Sequence, residues 1–400
     1  MRKKISVFLL LIILFLTNIF SYNIGKNLSN NNISIFGNTS GIDGKQRDRL
    51  VYLENYINDN YLREVTKEQL YTGQLKGMVE SLDDPYSQYY TEEELNELLE
   101  DTSGRFYGIG VYINTADGYI TVVSPIRNTP AEEAGLLPGD RIIKVDGTEL
   151  SGDKPDEASK LIKGEKGTSV TLTILRIEDD KPHTFDVDVV RDEINVTTVE
   201  SEIIEDEILY ISISQFNDNT YNEFVEATKL IDSNIKGMIL DLRSNPGGLL
   251  NASTKVADVL LPEGLVYYTQ SKSGEISDRG YSDDNMIDLP IVTLINGGSA
   301  SASEIVAGAL RDYDKTLLVG EKTFGKGVVQ SINRFSSNDG IKLTISEYFT
   351  PNGVQIHEKG IEPDVKEILD DNTVLIGIEN LEEDNQLQKG IEELKKMFNQ

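Results

Sequence analysis

Cysteine is absent from the 400 residues. That removes disulfides, thiol catalysis and thiolate metal sites together. Histidine is nearly absent, with only His183 and His357. This counts against a histidine-rich zinc centre, and a Ser-His-Asp triad would have to use one of these two. Positive charge is also scarce: 38 Lys and Arg stand against 67 Asp and Glu, a net charge of −29. Such a surface repels phosphate backbones, so no nucleic acid is expected as a partner. No metal and no cofactor are expected either.

What remains suits a soluble protein with its own core, at 38% hydrophobic and 26% charged residues. The N-terminus differs from the rest. Arg2, Lys3 and Lys4 precede an apolar run from Ile5 to Phe20, the pattern of an export signal. No A-x-A-like cleavage site follows, so an uncleaved anchor is the alternative, although the run is short of the ~20 residues that span a bilayer. In both cases the bulk of the chain is expected outside the cytoplasm, secreted or held at the outer face of the membrane.

Residues 1–25 are thus assigned to the signal or anchor, and residues 26–45, rich in Asn, Ser and Gly, to a linker. From residue 46 to 103 apolar residues recur at helical spacing, for example Leu50, Leu53 and Ile57. Thr91 stands three residues before Glu94, a capping-box signature. "SLDDPYSQYY" reads as a turn on Asp84-Pro85. Residues 104–192 switch to short alternating strands with one helix near Pro155–Lys163, a small mostly-β domain. Residues 193–370 alternate strand and helix, which predicts a largely parallel sheet with right-handed crossovers. Residues 371–400 close the chain with Leu387, Ile391, Leu394 and Phe398 at helical spacing.

Ligands of such sheets bind at the carboxyl ends of strands. Three loops lie there: "RSNPGG" after Leu242, "NGGSASASE" after Ile295 and "GEKTFGKG" after Val319. The last nearly spells a phosphate-binding loop, but Gly327 occupies the place where magnesium needs a hydroxyl. "VVQ" then reads as a strand, not the required helix. The second loop puts Ser299, Ser301 and Ser303 at a helix start, where the dipole favours an alkoxide; each can equally be a cap or turn residue. Gly247 and Gly248 can turn N–H groups toward an oxyanion. Lys326, between Gly325 and Gly327, can be threaded into a cleft where burial lowers its pKa. Together they supply nucleophile, oxyanion hole and general base without histidine.

These stretches, with "GMVESLDDPYSQYY", "YGIGV", "AGLLPGDRIIKVDG" and "YFTPNGVQIHEKGIEPD", resemble the carboxy-terminal processing peptidases, also called tail-specific proteases. The resemblance covers roughly residues 65 to 395. It implies an α/β, ClpP/crotonase-like serine protease core with an inserted PDZ domain at residues 104–192 and an N-terminal helical segment. It implies Ser301 as nucleophile, Lys326 as general base and Gln330 as the residue that orients the amine. The amides of Ala302 and of Gly247 or Gly248 would form the oxyanion hole. Glu304 lies near the site in the family's pattern, with no assigned role. "YGIGV" would be the carboxylate-binding loop of the PDZ domain, placing Gly108, Ile109, Gly110 and Val111 at a substrate's C-terminus. The implied partners are proteins or peptides with free C-terminal tails, a second copy of the chain through its terminal helices, and a regulatory protein. His357 is expected to be exposed or structural. A catalytically inactive PDZ scaffold and a nucleotide-binding enzyme are the rival readings.

Overall fold

The three loops owe their meeting to the order of the buried strands that precede them. The computed structural model describes residues 43–178, 181–370, 373 and 375–398. The expected export signal and most of the linker lie outside these residues. The chain divides into two compact units, one ending at Gln74 and one starting at Leu75.

In the first unit the helix Gly44–Asn60 is closed by a capping box: Asp43 accepts from the Gln46 N–H, and the Gln46 side chain accepts from the Asp43 N–H. The expected linker therefore ends two residues early. This helix has no buried residue, and Val51, Tyr52, Leu53 and Tyr56 are exposed on it.

The second unit holds a six-stranded sheet in the order Val199–Ile204, Ile208–Ile213, Gly237–Asp241, Ile291–Ile295, Thr316–Gly320, Val365–Lys366. The first pairing is antiparallel and the other four are parallel. Gly237–Asp241 and Ile291–Ile295 are buried at every position, as strands covered on both faces must be. One face packs Leu209, Ile211, Met238 and Leu240 against the helices Thr220–Thr228, Leu250–Leu260 and Ala302–Asp312. The other packs Tyr210, Ile239 and Leu294 against Leu387, Ile391 and Leu394 of the helix Asn385–Phe398.

A second sheet of five strands is antiparallel throughout. It joins Gln88–Tyr90, Gly264–Ser271, Ile276–Ser282, Val328–Arg334 and Gly340–Phe349. The expectation of a largely parallel sheet thus describes one of the two core sheets. Hairpins build the other: Val328–Arg334 turns straight back as Gly340–Phe349, which parallel pairing forbids.

Inserted in the chain between Gln88–Tyr90 and Val199–Ile204 is a separate antiparallel sheet of six strands spanning Val111–Val190, with its own core of Ile109, Val122, Ile142, Val170 and Leu172 and the helix Pro155–Ile162. The segments leading in and out, Arg105–Gly108 and Asp192–Asn195, pair with each other.

Candidate active site

Gly237–Asp241, Ile291–Ile295 and Thr316–Gly320 are neighbours in the sheet and point the same way. Their three following loops therefore share one rim, and hydrogen bonds stitch them. Ser244 N–H donates to Asn296 Oδ1 at 2.8 Å, Ala300 N–H to Asn245 O at 3.0 Å, and Phe324 N–H to Ser299 O at 3.0 Å.

The structure separates the three candidate serines. Ser299 and Ser303 are buried, and their hydroxyls donate to Leu242 O at 2.8 Å and to Asn245 O at 2.9 Å. Both are structural. The Ser301 hydroxyl, by contrast, is spent on no backbone acceptor among the described residues; the side chain it meets is Tyr348. Ser301 caps the helix Ala302–Asp312 with φ 54 and ψ −113, a strained conformation of the kind that clusters at functional sites. The Gly247 backbone lies so close that a Cβ there would fall 2.8 Å from Ser301 Cβ.

Glu304 ties the Ser301 loop to the Lys326 loop. Its side chain is fully buried and accepts four bonds: Ser301 N–H and Lys326 N–H on Oε2 at 2.9 Å each, Gly325 N–H at 2.9 Å and Thr323 Oγ1 at 2.5 Å on Oε1. Burial pushes its carboxyl above the usual range, and the four donors oppose that push. Each partner donates, so an acceptor-only carboxylate fits the site. Tyr348, also buried, adds a second clamp: its hydroxyl reaches both Ser301 O and Lys326 O. Glu304→Gln replaces one accepting oxygen with an NH2 that faces N–H donors. We expect kcat to fall by roughly 10-fold or more, the effect of ~1–3 kcal/mol for an unmet buried group, while KM for peptide changes little. Steady-state kinetics check this.

The glycines that bracket Lys326 now have reasons. Gly325 has φ +91 and a Cβ would fall 2.9 Å from Gly360 N; at Gly327 it would fall 2.3 Å from His357 N. The lysine loop is pressed against residues 357–360 too tightly for side chains on either flank. Burial lowers the Lys326 pKa and Lys342 adds to the lowering, whereas Asp84 and Glu304 oppose it. Its amine lies over the Tyr86 ring, 4.8 Å from the centroid, and makes no hydrogen bond to Ser301 among the described residues.

The structure adds detail around Gln330 and His357. Lys326 precedes the strand, which starts at Val328, so strand alternation does not relate it to Gln330; the bulge opposite Val329 and Gln330 places the extra residue, Ile345, in the facing strand. Gln330 Nε2 instead donates to Val328 O and Thr344 Oγ1, both at 3.3 Å. His357 is half-buried beside Gly327, and its Nδ1 is buried with no partner among the described residues.

Of the oxyanion candidates, Gly247 N–H already donates to Asn245 Oδ1 at 2.9 Å. Gly248 N–H and Ala302 N–H donate to no protein acceptor among the described residues. In the inserted domain, Gly108 ends a strand and Val111 starts one, with Ile109 buried and Gly110 at φ +78 between them. The Ile109 and Gly110 carbonyls accept from Ala131 and Ile126, while their own N–H groups stay unspent among the described residues. A side chain at Gly110 would strike Thr129, 2.4 Å away. Sequence reasoning treated "DDPYS" only as a turn and missed Tyr86 and Tyr348.

The chain is similar to known proteins over most of its length. The model of peptidase family S41 matches residues 207–367, a PDZ domain model matches residues 121–176, and a model of the activating protease CtpB N-terminal domain matches residues 27–94. The carboxy-terminal processing protease CtpA of Bacillus subtilis is 38% identical over 343 residues, covering 85% of this chain and 73% of that protein. The carboxy-terminal-processing protease of Bartonella bacilliformis is 40% identical over 330 residues, covering 80% and 75%. A solved S41 protease chain from Bacteroides fragilis aligns over 86% of this chain and 97% of its own, with a TM-score of 0.51. At 16% identity it speaks for the fold alone.

Proposed function

The chain belongs to the carboxy-terminal processing proteases of peptidase family S41, and from that membership we propose that it is a serine endopeptidase working through Ser301 and Lys326. The observation that carries this reading is the Glu304 carboxylate, whose one oxygen binds the backbone of both residues. No structural demand on a surface turn requires that.

Neutral Lys326 takes the proton of Ser301 Oγ as that oxygen attacks the scissile carbonyl. The resulting oxyanion is held by the unspent amides of Ala302 and Gly248; Gly247, engaged by Asn245, shapes the turn. Lys326 returns its proton to the leaving amine, which departs. Water then cleaves the acyl-enzyme ester by the same steps, releasing a new carboxyl terminus and restoring Ser301. Gln330 acts on Lys326 at one remove, by holding Thr344. The base must be neutral to work. Activity therefore climbs as pH rises through the lowered lysine pKa, and a rate flat from about pH 6 to 9 contradicts the assignment.

The mostly-β domain supplies selection. The strand Val111–Ala116 pairs only with Tyr119–Pro125 among the described residues, which leaves an open edge after the loop of Gly108, Ile109, Gly110 and Val111. A substrate tail adds to that edge and its carboxylate rests on the loop's amides. Amidating the C-terminus of an otherwise identical peptide removes the charge, so kcat/KM should fall several-fold. Equal rates for the two peptides would count against this role.

The core, read as ClpP/crotonase-like, takes residues 193–370, the PDZ domain 104–192 and the N-terminal helices 46–103. A second copy docks on the exposed apolar residues of Gly44–Asn60, and a regulatory protein remains part of the reading. The chain works outside the cytoplasm, secreted or anchored; no described helix is long and apolar enough to cross a membrane. Digestion of casein by the wild type, absent with Ser301→Ala, separates this reading from an inactive scaffold.

A further inference from the structure

Tyr86 lies 240 residues from Lys326 in sequence, yet its ring receives the amine. Hydrogen bonds fix the turn that carries that ring. Asp84 Oδ1 accepts the Tyr86 N–H at 3.0 Å, and Ser87 Oγ donates to Asp84 Oδ2 at 2.5 Å. Ser87 Oγ also accepts from Thr344 N–H at 3.0 Å, on the strand Gly340–Phe349. Gln330 Nε2, on the strand Val328–Arg334, grips Thr344 Oγ1. The turn is therefore pinned to the same hairpin that carries the lysine. A ring face attracts an ammonium, and the attraction is lost with the charge.

The surrounding charges divide into two sets. Lys342 repels the ammonium from the hairpin, and is itself drawn toward Tyr90, 5.5 Å from that ring's centroid. Asp84 from the turn and Glu304 from the helix attract it. Glu358 faces Tyr86, and His357 faces Asp84. No acceptor oxygen holds Lys326 Nζ among the described residues, so its contact with the Tyr86 ring is the one that sets where the charged amine rests.

We propose that Tyr86 is a positioning residue, the resting seat of the Lys326 ammonium, which keeps the base charged and off Ser301 until its proton is gone. This rests on Lys326 being the general base. Lys342 is its counterweight: it makes the seat less comfortable for a cation and so favours release of the amine. The turn "DDPYS" is then part of the catalytic apparatus, not a connector. The cleft of about 810 Å³ lined by Asp84, Tyr86, Phe324, Val328 and His357 is where the seat opens to substrate.

The test is the acid limb of kcat/KM between pH 5 and 9, on an unstructured peptide with a free carboxyl terminus; that limb reports the free enzyme's base. Tyr86→Leu removes the ring and should move the limb to lower pH by about half to one unit, the size of a cation–π contact. Tyr86→Phe keeps the ring face and should leave the limb in place. Lys342→Gln removes the repulsion and should move the limb to higher pH. Fluorinated phenylalanines at position 86 keep the shape while draining the ring face, so the limb should step downward with each fluorine even if Tyr86→Leu fails to fold. A limb unmoved across the fluorinated series, or a Tyr86→Leu rate lowered equally at every pH, overturns the proposal. Lys326→Ala distinguishes the two levels. If it retains wild-type activity, the general-base reading itself fails; if it is inactive while the fluorinated series leaves the limb fixed, only the role of Tyr86 fails.

Discussion

Ser301→Ala and Lys326→Ala each lower cleavage of an unstructured peptide by on the order of 10³-fold or more, and the double variant is no worse than either alone. Non-additivity follows from the proposed mechanism, in which the two side chains share one proton transfer. Lys326→Arg fails as completely, since a guanidinium keeps its proton at any working pH. Folding is spared. The Ser301 hydroxyl donates to no backbone carbonyl among the described residues, and its loop is held by Asn245, Glu304 and Tyr348 through backbone groups. Thermal unfolding should shift by no more than about 0.5 kcal/mol for Ser301→Ala. A variant that loses activity and stability together would instead mean that the residue is structural.

The second large effect is on stability, at the root of the same rim. Arg243 is buried and immediately precedes the loop that carries Gly247 and Gly248. Its guanidinium binds Asp241 at 2.6 Å and Asp384 at 2.7 Å, and Nη1 adds Gln386 at 3.1 Å. Asp241 also receives the Tyr210 hydroxyl, and Asp384 accepts the N–H groups of Gly377 and Leu387. The network joins the central sheet to the start of the helix Asn385–Phe398. Arg243→Leu leaves two carboxylates buried without a cation, which costs about 3–5 kcal/mol. For a chain of this size that lowers Tm by roughly 4–6 °C, which calorimetry reads directly. Asp384→Asn keeps an accepting oxygen and should cost less.

Acid should act through the same pair. Burial works against the charge of Asp384, but Arg243 outweighs it and holds the carboxyl below its ordinary value. The folded form thus binds that proton less tightly than the unfolded chain. Its contribution is complete above the unfolded pKa of about 4 and is lost as pH falls through the lowered value. Asp384→Asn should flatten that part of the acid unfolding curve.

Much of this architecture was legible in residue patterns. Continuous apolar strands such as "GMILD" and "IVTLI" announce a sheet covered on both faces, and the loops that follow them form the rim. The helix Pro155–Ile162 of the inserted domain and the capping box at Thr91 also lie where the pattern puts them; the short helix Pro130–Glu133 was not foreseen. The choice among Ser299, Ser301 and Ser303 was not legible from helix-start chemistry, because it depends on acceptors from Leu242 and Asn245 far away in sequence. Nor was the glycine choice, which turns on one side-chain oxygen of Asn245. The partner of Gln330 is Thr344 on the facing strand, which periodicity along its own strand does not name. Tyr86 was hidden for a similar reason: periodicity reports neighbours along an element, not a ring delivered across the fold.

Labelling with a fluorophosphonate tests the central claim most directly, because the reagent bonds only to a serine whose proton is being removed. Mass spectrometry of the labelled protein should find one adduct, on the peptide containing Ser301, forming faster as pH rises and absent in Lys326→Ala. An adduct on another residue, or one that forms on Ser301 at the same rate without Lys326, would contradict the account.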